Sequence, residues 1–174
     1  DTKNVVQESV SLRKNKPVYV VLVSGTNVVS ATIKKFTHSK WSHAAISFDP
    51  SLEELYSYTF ATTEYAKASQ GLRRESIKQL NNLGGEICVY GFYSGNRNVK
   101  DMVKAVHERI ESGKTKYDLG LLVKKAFNDN AEQSEDPNKK ICSAFVNSII
   151  SEFVGKISDK VSPSPDDMSK ALIS

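Results

Sequence analysis

The first strong pattern along the chain is PVYVVLV, Pro17 to Val23, a run dominated by β-branched residues behind a charged segment. That composition predicts a buried strand. After SGTN the apolar positions become Val28, Val29, Ile33 and Phe36, a spacing that predicts a short helix. HAAISFD, His43 to Asp49, alternates: Ala44, Ile46 and Phe48 fall on one side, and His43, Ala45, Ser47 and Asp49 on the other. Period two predicts a strand with a histidine at its entrance. DPSLEE then supplies a turn, so LYSYTF, Leu55 to Phe60, reads as the returning strand of a hairpin.

Between Ala61 and Gly85 the chain is polar and weakly patterned, which predicts a loop with at most one irregular helix. EICVYGFY, Glu86 to Tyr93, predicts a further strand. Next comes a helix in which Asn98 is the expected cap, Asp101 suits the first turn, Val99, Met102, Val103, Val106 and Ile110 form the apolar stripe, and Gly113 is the stop. A shorter helix starting near Asp118 is expected to bury Leu119, Leu122, Val123 and Phe127. Asn128 to Lys140 is an acidic connecting loop. NKKICSAFVNSIISEFVG, Asn138 to Gly155, has helical period at Ile141, Phe145, Val146, Ile149, Ile150 and Phe153, with Gly155 as its stop. The tail SPSPDDMSKALIS is expected to wrap the surface before a last short apolar contact.

Length changes this picture little: 174 residues is one domain, residues 1–174, with enough chain to bury a core without staples. Lys and Arg exceed Asp and Glu by 24 − 20 = 4, and the basic residues come as scattered pairs, Lys34-Lys35, Arg73-Arg74, Lys124-Lys125 and Lys139-Lys140. These predict solvated faces and no nucleic-acid partner, because interleaved aromatics and basic-helix motifs are missing. No apolar run approaches the ~18 residues of a membrane span, so no transmembrane segment is expected. The two cysteines, Cys88 and Cys142, have no zinc spacing and form no scaffold, which favours free thiols in a reducing, cytoplasmic-type compartment.

Cys142 falls in the first turn of its helix, where unpaired backbone N–H groups and the helix dipole favour a thiolate. A nearby histidine would serve as general base and then protonate a leaving group. Of the three histidines, His43 stands at a strand edge between small neighbours, His38 at a helix end, and His107 beside an apolar stripe. Taken singly, Cys142 reads more readily as a small core hydrophobe, and His43 as a structural residue. Cys88, mid-strand, has no helix end beside it.

The run VLVSGTNVVSATIKKFTHSKWSHAAISFD resembles the opening of circularly permuted papain-like cysteine hydrolases of the NlpC type, the group that includes YiiX-like amidases and lecithin:retinol acyltransferase-like proteins. A first strand, a glycine-containing turn, a helix and an SH strand entrance follow in that order, and CSAFV resembles the CS-x-FV that opens their nucleophile helix. The resemblance covers most of the chain and is weakest between Ala61 and Gly85. It implies an α+β fold in which an antiparallel half-barrel sheet packs against the cysteine helix.

The same resemblance implies Cys142 as nucleophile and His43 as base. GKTKYDLG resembles the family's tyrosine-containing segment, which implies that Tyr117 helps hold an oxyanion, with a loop-anchoring tyrosine as the alternative. The third polar residue, which orients the imidazole, falls near Ser57; Thr59 shares that strand face, and Glu54 lies at the turn. Serine departs from the acid or amide usual there and cannot stabilise an imidazolium by charge. Implied substrates are peptide, isopeptide or cell-wall amide bonds, then lipid acyl groups, with no metal or organic cofactor. The missing acid keeps a binding module without chemistry as the opposing expectation.

Overall fold

The computed structural model describes residues 15–59, 71–128, 131–132 and 136–173. Its elements are β1 (Asn15–Val23), α1 (Val28–Thr37), β2 (His43–Ser47), β3 (Leu55–Thr59), β4 (Gly71–Glu75), α2 (Ile77–Asn81), β5 (Ile87–Gly95), α3 (Asn96–Ser112), β6 (Lys116–Tyr117), α4 (Leu119–Phe127), β7 (Lys139–Lys140), α5 (Cys142–Phe153) and α6 (Pro165–Ile173). The first five strands form one antiparallel sheet in the order β4-β3-β2-β1-β5, and β6 and β7 make a short parallel pair. The protein is therefore of α+β class.

The β-branched run forms an interior strand of the sheet, between β2 and β5. Its side chains alternate between two apolar clusters. Val18, Val20 and Leu22, all 0% exposed, join Ala44, Ile46, Tyr56 and Tyr58 and pack with α3 and α5. Val21 and Val23 join Ala45, Leu55 and Leu80 in a smaller cluster under α2. The expected hairpin is present, with Ile46 opposite Tyr56 and Ser47 opposite Leu55. Phe60, predicted to end β3, lies outside the described residues.

Four expectations are corrected. Within the segment read as a loop with at most one irregular helix, residues 77–81 form such a helix, α2, but residues 71–75 form a strand, β4; residues 61–70 lie outside the described residues. Alternation there is hidden because Arg73 and Arg74 occupy successive positions of an outermost strand, where charge is tolerated. Secondly, α3 starts at Asn96 with Gly95 as its N-cap, so the chain passes directly from strand to helix and Asn98 is not the cap. Thirdly, α4 buries Leu121, Leu122 and Lys125, whereas Leu119, Val123 and Phe127 are 40%, 51% and 90% exposed. Lys125, 1% exposed, is accordingly not on a solvated face. Finally, the tail forms the helix α6, anchored by the fully buried Met168.

Candidate functional site

The site is built at the beginning of α5. Ile141 is the N-cap and Cys142 the first helical residue, so the thiol belongs to the turn whose backbone N–H groups have no partner inside the helix. Polar anchors hold this end in place: Ser143 Oγ donates to the Pro163 carbonyl at 2.6 Å, and Asn147 Nδ2 donates to the Lys160 carbonyl at 3.1 Å. Cys142 is 2% exposed.

His43 opens β2, and its approach is fixed from two sides. Ser42 Oγ donates to the Ser24 carbonyl at 3.0 Å, joining the strand entrance to the end of β1. On the other side, Asp166 at the start of α6 accepts from Ser39 Oγ at 2.7 Å, from the Lys40 N–H at 2.9 Å and from the Trp41 N–H at 3.3 Å. The C-terminal helix thus clamps the turn that delivers the histidine.

The group that orients His43 is Glu75, with Oε2 at 2.8 Å from Nε2 and side-chain exposures of 12% and 13% for the pair. Burial by itself would lower the imidazole pKa, but the Glu75 charge, the adjacent Cys142 thiol and the hydrogen bond to Glu75 outweigh it and hold the ring well above its ordinary value. With Nε2 occupied by Glu75, Nδ1 is the ring nitrogen left for other chemistry.

Tyr117 joins the same group of residues. The pairing of β6 with β7 places Tyr117 beside Lys140, two residues before Cys142. Burial, then the nearby charges of Cys142 and Asp118, raise the phenol well above its ordinary pKa, so its O–H stays protonated. The segment before it is seated on β4 by Gly71, whose φ of +107° suits glycine and whose hypothetical Cβ would lie 2.4 Å from the Thr115 carbonyl oxygen.

Ser57 does not orient the ring: it is buried with its hydroxyl donating to the Ala44 carbonyl, inside the sheet. Glu54 pairs instead with Arg74 at 2.9 Å, while Thr59 lines the cleft described below. His38 is an exposed left-handed helix cap, and His107 Nε2 lies 3.0 Å from the Tyr56 hydroxyl. Cys88 is half-buried in β5.

Sequence reasoning missed Glu75, the acid on the imidazole. One local signal bears on it: Ser76 and Gln79 form a reciprocal capping box, so a helix start is written immediately after Glu75 and leaves Glu75 to end the preceding extended segment. A small cleft of about 100 Å³ borders His43, Glu75, Tyr117, Ser42, Thr59 and Leu83. Among the described residues, no group of three or more His, Cys, Asp or Glu side chains is arranged to hold a metal ion, and no helix is long and apolar enough to cross a membrane. An imidazole held by a carboxylate beside a thiol can move a proton between sulfur and a bound group. The fold thus defines an α+β protein with an antiparallel sheet; no protein-family model matches the chain, and no curated protein is significantly similar to it.

Proposed function

We propose that the chain is a thiol hydrolase on a circularly permuted papain-like fold of the NlpC type, cleaving an amide, peptide, isopeptide or cell-wall peptide bond. The observation that carries this reading is the series of Glu75 carboxylate, His43 imidazole and Cys142 thiol, the last at a helix start. Glu75 supplies the acid whose absence from β3 favoured an inert module.

In this mechanism the His43 ring takes the Cys142 S–H proton, and the resulting thiolate bonds to the substrate carbonyl carbon while the carbonyl π pair moves onto oxygen. The Cys142 backbone N–H and the protonated Tyr117 phenol are the donors to that oxyanion. When the tetrahedral species collapses, the carbon–nitrogen bond breaks and the departing amine takes a proton from the His43 ring. Water then adds to the thioester and gives its proton to the ring, releasing the acid and restoring the sulfur. An acceptor alcohol or amine in place of water would turn the same steps into acyl transfer, the route by which lipid acyl groups are the second substrate class.

A binding module that retains the fold without chemistry is the second reading, favoured by the 2% exposure of Cys142. Iodoacetamide labelling of Cys142 in a Cys88→Ala background separates the two. A hydrolase gives rapid alkylation near neutral pH that His43→Ala slows by about tenfold or more. Labelling no faster than that of an ordinary peptide thiol supports the module. Acyl and peptidyl electrophiles, compared with Cys142→Ala, then report the substrate class.

A further inference from the structure

The two outer strands of the main sheet differ in chemistry. β4 carries Arg73, Arg74 and Glu75, the kind of charge that keeps a sheet edge from pairing with another chain. β5 has the sequence ICVYGFYSG, nine residues with no charge and no proline, and among the described residues no strand pairs with its outer edge. Its outward side chains include Val89 and Tyr93, 43% and 65% exposed. On the core side Cys88, Tyr90 and Phe92 remain only partly buried, whereas Val18, Val20 and Leu22 of the neighbouring β1 are 0% exposed. The apolar layer therefore runs on to the rim of the sheet without being closed there.

We propose that β5 is a self-association surface, pairing antiparallel with β5 of a second copy about a two-fold axis at Gly91. A two-fold contact sets each patch against itself, so any charge in it would meet its own sign. The chain carries a net charge of +4, and in this nine-residue strip no like charges of the two copies would face each other. Centring on Gly91 sets Val89 of one copy opposite Tyr93 of the other, a β-branched residue facing an aromatic on the exposed face. The same register sets Tyr90 opposite Phe92 on the core face, extending the apolar layer across the junction. Two five-stranded sheets would become one continuous sheet of ten.

Sedimentation velocity on the full chain tests the contact. The wild type is expected to form a dimer at concentrations up to about 100 μM, and Tyr93→Lys, at an exposed position, to weaken association by about tenfold or more with an unchanged far-UV circular dichroism spectrum. Register is tested with Val89→Cys and Tyr93→Cys, each made in a chain also carrying Cys88→Ala and Cys142→Ala, and a short bis-maleimide. Cross-linked dimer is expected from the mixture of the two variants and much less from either alone. A monomeric wild type, a Tyr93→Lys dimer of unchanged affinity, or equal cross-linking in mixed and unmixed samples would overturn the proposal.

Discussion

Replacing Glu75 tests the centre of the site most directly. Its carboxylate and the His43 ring are 2.8 Å apart and nearly closed to water, with side-chain exposures of 12% and 13%. With charge centres ~4 Å apart and an effective dielectric constant of ~20, their attraction is on the order of 4 kcal/mol, partly offset by the cost of desolvating both groups. Glu75→Ala removes the ring's partner, so burial pushes the imidazole toward its neutral form and a charge-assisted hydrogen bond is lost; the expected cost is about 3 kcal/mol. Glu75→Gln loses the charge but keeps an acceptor oxygen for the ring, so the expected cost is about 2 kcal/mol.

The sign of the pH dependence follows from the raised pKa of His43 against an ordinary value of 6.5. Folding favours the protonated ring, so the stabilisation is fully present below the unfolded value and is lost as pH rises through the raised folded value. Urea unfolding followed by circular dichroism, from pH about 5.5 to about 9.5, should show the wild-type advantage over Glu75→Gln shrinking with pH. A double-mutant cycle with His43→Gln should give a coupling of about 1 kcal/mol or more at low pH. An advantage that is constant over the range, or a coupling near zero, would refute the pair as the ring's stabilising contact.

Phe145→Ala removes a fully buried ring whose centroid lies 5.3 Å from that of Tyr58, and should cost about 3–5 kcal/mol, a fall in Tm of on the order of 10 °C by calorimetry. Gly71→Ala forces a Cβ to within 2.4 Å of the Thr115 carbonyl oxygen at a φ of +107°; a loss of about 1–3 kcal/mol in urea unfolding is expected, with slower Cys142 alkylation as the Tyr117 segment shifts. Asp166→Ala removes the acceptor of three hydrogen bonds from Ser39, Lys40 and Trp41, so stability should drop by about 2–4 kcal/mol and amide exchange should quicken at Lys40 and Trp41. Unchanged exchange at those two amides would count against the clamp.

What the amino-acid sequence by itself determined is the local geometry of the strongly patterned segments. The β-branched run, the alternation around Ala44 and Ile46 and the helical spacing from Ile141 to Phe153 each select a backbone period, and that period decides which side chains share a face. Cys142 at a helix start was legible for the same reason, because its position follows from neighbours within one turn. His43 at a strand entrance likewise depended only on the residues beside it.

Only the tertiary structure decided what each face meets. Glu75 reaches His43 from 32 positions away, through a sheet order that no local period encodes, and its own strand is masked by Arg73 and Arg74. Ser57 occupies the expected strand but turns its hydroxyl to the Ala44 carbonyl, because a buried hydroxyl takes the acceptor its packing presents. In α4 the stripe of Leu119, Val123 and Phe127 faces outward while Lys125 is buried, since neighbouring elements, and not the helix's own pattern, determine which side is covered. Periodicity states that a face exists; the long-range contacts that cover it, and the charges they bring together, arise only when distant segments pack.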